Sequence, residues 1–115
     1  MFALKVTIND EPSVTAGAED LGVLTAIVGC AGRLGSETYL HREDEAQSFN
    51  CQVGGLTRRA PALANEHLRW LQRWDLKVGD RVTIEIIEAD GAGSVVSRSP
   101  AKNPVAIAQG KDGDA

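Results

Sequence analysis

The sequence predicts an α+β domain in which one amphipathic helix packs on a mostly antiparallel sheet of about five strands, in the order β-β-β-β-α-β. Two segments alternate apolar and polar residues strictly, which marks half-buried strands. One segment repeats its apolar residues at helical spacing. A composition change after Asp90 sets the expected boundary, with a single domain over residues 1–90 and a mostly disordered tail over 91–115. A partly open barrel plugged by the helix is the alternative architecture.

Phe2, Leu4, Val6 and Ile8 alternate with Lys5, Thr7 and Asn9, so residues 2–9 form the first strand. Asn9-Asp10-Glu11-Pro12 ends it with turn chemistry. Leu21 to Cys30 carries Val23, Thr25 and Ile27, which favour a strand. Its other face carries Leu24, Ala26, Val28 and Cys30, the pattern of a central strand buried on both sides. A helix capped by Asp20 competes there, weakened by Gly22 and Gly29. Gly32 to Ser36 reads as a turn, Glu37 to Arg42 as a short strand, and His41 to Glu45 as a polar tip. Phe49, Cys51 and Val53 alternate with Asn50 and Gln52 as a further strand, closed by Gly54-Gly55.

The helix is expected over Ala60–Trp74. At 100° per residue, Leu63, Ala64, His67, Trp70, Leu71 and Trp74 fall within an arc of about 120°. Asn65, Glu66, Arg69, Gln72 and Arg73 lie opposite, and Pro61 suits a first helical turn. Leu76 to Asp80 is a turn into a last strand, where Val82, Ile84 and Ile86 alternate with Arg81, Thr83 and Glu85. The tail gathers Gly91, Gly93, Pro100, Pro104 and Gly110, with Val105-Ala106-Ile107 as its one apolar run.

At 115 residues the chain is long enough for a hydrophobic core without metal or disulfide staples. The formal net charge of −4 argues against nucleic-acid binding, which needs clustered positive charge. The few aromatic residues do not suffice for a base-stacking surface. No apolar stretch approaches the length of a membrane span, and the start lacks a signal-peptide pattern, so cytoplasmic residence is expected. Cys30 and Cys51 are expected as free thiols.

Chemistry-bearing motifs are sparse. Cys30, His41, Cys51 and His67 stand singly, whereas zinc sites supply ligands in close pairs, so no metal is expected. Gly29 to Gly35 lacks the Lys-Ser/Thr of a phosphate loop, and no G-x-S-x-G is present. No catalytic residue and no cofactor are assigned. Charge is uneven: Glu43, Asp44 and Glu45 make an acidic run, while Arg58, Arg59, Arg69 and Arg73 gather in and before the expected helix. These seven residues are the expected partner-binding set, since Arg and Trp are enriched at interface hot spots. The expected function is a non-enzymatic protein-interaction module, such as a small inhibitor, an immunity-type protein or an adaptor. The alternative is a small-ligand-binding domain or small enzyme, with a sheet–helix pocket lined by Tyr39, His41, His67 and Trp70.

Overall fold

The structure, a computed structural model, describes residues 1–42 and 45–101. Seven strands follow in chain order: β1 (Phe2–Ile8), β2 (Val14–Ala16), β3 (Leu21–Ala31), β4 (Ser48–Thr57), β5 (Glu66–Asp75), β6 (Val82–Glu88) and β7 (Ser97–Pro100). They form two antiparallel sheets, β2-β1-β6 and β3-β4-β5-β7. Among the described residues no helix forms, so the protein is all-β and the expected α+β class is corrected.

The correction centres on residues 60–74. Residues 60–63 make a turn closed by Leu63 N donating to Ala60 O, and 66–75 are a strand hydrogen-bonded on both sides. Two bulges explain the helical spacing. Against β4, Cys51 faces Trp74, Val53 faces Leu71 and Gly55 faces Leu68. Two residues of advance along β4 thus take three along β5. A bulge adds one residue to one strand and leaves its partner unchanged. Leu68, Leu71 and Trp74 therefore share the inward face at a spacing of three, which a helix would also produce.

The sheets face each other across a core of Val6, Ile8 and Ala16 from one side and Cys51, Val53, Leu68 and Trp70 from the other. Trp70 is buried, and its Nε1 donates to the Gly93 carbonyl at 3.2 Å. That bond ties the segment after Asp90 to the core. Val96 N donates to Arg69 O, and β7 then pairs with β5. The expected strand at Glu37–Arg42 is instead part of the loop joining β3 to β4, with Tyr39 exposed and edge-on to His41.

Layer order decides what stays open. β2 packs over β5 and β1 over β3. β6 lies beyond β1 and so overhangs β3, which is itself the last strand of its sheet. β3 was expected to be central, because both its faces are apolar; it lies at an edge.

Candidate functional site

The open side of the sandwich is built around β3. Its eleven residues, Leu21–Ala31, include no charged side chain and no proline. Pairing with buried Cys51 and Val53 turns Val28 and Ala26 inward, while Val23, Thr25 and Ile27 point outward. Val28 is nonetheless 48% exposed, and no described strand pairs with its open edge. On the outward face, Val23 and Ile27 are 47% and 52% exposed.

A hollow lies on each face of β3. The inner one, about 430 Å³, is walled by Leu4, Leu21, Leu24 and Ile86, near the start of β1. The outer one, about 380 Å³, has Val23, Thr25 and Ile27 on one wall and Gln52, His67 and Arg69 on the other. Its floor is Gly54 and Gly55. A Cβ on Gly55 would sit 2.6 Å from the Val23 carbonyl oxygen, so only glycine lets the two strands approach there. Arg69 is held in place by donating from Nη1 to Gln52 Oε1 at 2.9 Å.

The free edge of β3 also presents backbone. Leu76 N donates to Phe49 O, so odd residues in that part of β4 turn their amides and carbonyls toward β5. Even residues of β4 then face β3. In the β3–β4 register these meet Ile27 and Gly29, and the same parity runs unbroken from Val23 to Ala31. Leu24, Ala26, Val28 and Cys30 therefore aim their N–H and C=O groups away from the sheet, and no described strand pairs with them.

The residues expected to bind a partner fall in several places. Arg69 stands on the outer hollow, and Arg73 is exposed near the far end of β5. Arg58 lies across Gly22, and its N–H donates to Asp20 O. Arg59 is a structural tie: Nε donates to Asp20 Oδ2 at 2.8 Å, Nη2 to Glu66 Oε1 at 3.0 Å and Nη1 to the Ala64 carbonyl. The Arg59 hydrogen bond holds the Asp20 carboxyl below its usual range, and Asp20 raises the guanidinium in turn. Glu45 Oε1 accepts from the backbone N–H of His41 and Arg42, closing the loop on itself. Glu43 and Asp44 lie outside the described residues.

The alternative's pocket loses its helical wall. Tyr39 and His41 sit in the β3–β4 loop, His67 on the outer hollow and Trp70 in the core, so these four do not share a site. Cys51 is buried, and burial pushes its thiol pKa up; Cys30 is exposed, and both are free. Among the described residues no group of three or more His, Cys, Asp or Glu side chains is placed to hold a metal ion. No described helix is long and apolar enough to cross a membrane. Sequence reasoning missed the open side because its signal, apolarity on both faces of β3, is shared by any central strand.

Compared with known proteins, the chain matches no family model, no curated protein and no solved structure.

Proposed function

We propose that this protein is a non-enzymatic protein-interaction module whose binding surface is the β3 edge with the side chains flanking it. The carrying observation is the mismatch between composition and position. β3 has the uncharged, two-faced apolar character of a central strand, yet it stands at the edge of its sheet. Proteins protect their edges with short strands, prolines, bulges or charges. β2 has three residues, and β7 has four and ends at Pro100. β3 has a bulge only at its first residues, between Leu21 and Val23. Edge pairing is an established mode of peptide recognition, with backbone bonds supplying affinity and alternate side chains supplying specificity. The free thiols Cys30 and Cys51 support a reducing compartment such as the cytoplasm.

The test is photo-crosslinking in the native host, with a benzophenone side chain at Val28 and, as control, at Ser99 on β7, at the other edge of the same sheet. A discrete adduct from position 28 and none from position 99 is expected. No adduct from position 28 under any growth condition would sink the reading.

A second reading rests on the outer hollow. Its size falls in the range of small-molecule sites, roughly 300–1,000 Å³. It joins apolar Val23 and Ile27 to Arg69 and His67, a lining suited to an anionic ligand with an apolar body. A metabolite panel that shifts the melting temperature of the wild type but not of Arg69→Ala supports that reading; a flat panel removes it.

A further inference from the structure

We infer that the open side is a slot for one extended segment of a partner protein, which pairs with the free edge of β3 and slides beneath β6. The inference rests on the interaction-module reading and adds the shape and chemistry of the partner.

The roof of the slot is β6. Ile84 and Ile86 pair with Val6 and Leu4, so they share the inward face of their sheet. Ile84 is still 43% exposed and Ile86 82% exposed. β1 packs over β3, so β6, the next strand beyond β1, extends past the free edge of β3, where a further strand of that sheet would run. Strands in a sheet lie about 4.8 Å apart and packed sheets about 10 Å apart. One added strand beside β3 therefore lies under β6 and covers Ile84, Ile86 and Val28 together. It also satisfies the backbone groups of Leu24, Ala26, Val28 and Cys30.

A second copy does not fit this position through its own β3. An antiparallel β3–β3 pair has its two-fold axis perpendicular to the sheet. The copy's β1 and β6 would then fall on the β6 and β1 of the first molecule. The occupant is a lone strand from another protein, with apolar side chains at alternate positions facing Ile84 and Ile86. Exposed Glu19, Glu88 and Asp90 stand at the end of the slot where β3 begins and β6 finishes, and with the net charge of −4 they favour a partner segment carrying basic residues at that end.

The test uses a fluorescent synthetic peptide of alternating valine and threonine with two lysines at each end, and full-length protein, read by anisotropy. Ala26→Pro removes an N–H at the free edge and leaves the β3–β4 ladder intact; Ile86→Lys places a charge in the slot. Binding is expected, weakened at least tenfold by each variant and by N-methylation of alternate peptide amides, and unchanged by Ser99→Ala at the other edge of the sheet. Circular dichroism confirms that each variant is folded. Equal binding by folded Ile86→Lys, or no binding by the wild type, overturns the slot. A partner adduct from position 28 alongside either result leaves the module reading standing, whereas loss of that adduct removes both. A dimer by sedimentation that Ile86→Lys or removal of residues 102–115 disperses would make another copy the occupant, and also overturns the proposal.

Discussion

Trp70→Phe should lower stability by about 2 kcal/mol, in two parts that can be separated. Trp70 is only 2% exposed, packed between the sheets. Phenylalanine keeps most of that contact but removes roughly 40 Å² of apolar surface, about 1 kcal/mol at ~25 cal/mol per Å². It also removes the Nε1 bond to the Gly93 carbonyl, another ~1 kcal/mol. A loss of about 2 kcal/mol corresponds to a fall in melting temperature of roughly 8–16 °C for a domain of this size. Truncation after Asp90 deletes the Gly93 acceptor and β7. In that background Trp70→Phe should cost only the packing part, about 1 kcal/mol. Urea denaturation of the four proteins completes the cycle. If Trp70→Phe costs the same in both backgrounds, the Gly93 bond contributes nothing. If truncation after Asp90 leaves the urea midpoint unchanged, the account of residues 91–101 as part of the fold is wrong.

Other expectations follow from the turns and close approaches. Gly55→Ala forces a Cβ against the Val23 carbonyl and should cost about 1–3 kcal/mol in urea unfolding; a neutral result would show that β3 and β4 can separate there at little cost. Asp80 accepts from Lys77 N, Asn9 Nδ2 and Lys77 Nζ, and these bonds hold its carboxyl at about 2, below the ordinary value of 3.8. A depressed carboxyl stabilises the fold fully above its ordinary pKa, and the contribution is lost as pH falls toward 2. Melting temperature should therefore drop between about pH 4 and pH 2, and Asp80→Asn should flatten that slope; an unchanged slope refutes the assignment. Arg59→Ala releases residues 58–65 from Asp20 and Glu66, so the Arg58 amide, bonded to Asp20 O, should exchange faster with deuterium. Unchanged protection at that amide would show that the backbone bond does not depend on the ion pairs.

Where hydrogen bonding and side-chain period agree, the strands were legible. β1 alternates from Leu4 to Ile8 and β6 from Val82 to Ile86, and their mutual register from Phe2–Glu88 to Ile8–Val82 contains no bulge. β5 was illegible for the opposite reason. Its two bulges leave it paired on both sides while shifting Leu68, Leu71 and Trp74 to a spacing of three, and no local signal separates that from one face of a helix. Only long-range pairing decides, and pairing partners are not written in a fifteen-residue window. Of the expected binding residues, Arg69 does reach the outer hollow, but it does so from a strand. β3 is the case where the discrepancy itself carries information. Apolar residues on both faces predict a central strand, and the structure places it at an edge. Within the described residues it has a neighbour on one side only, and β6 hangs over the other with Ile84 and Ile86 uncovered. Edge strands left to solvent commonly carry a charge or a proline. That Leu21–Ala31 holds neither is the reason to look for the missing neighbour in another protein.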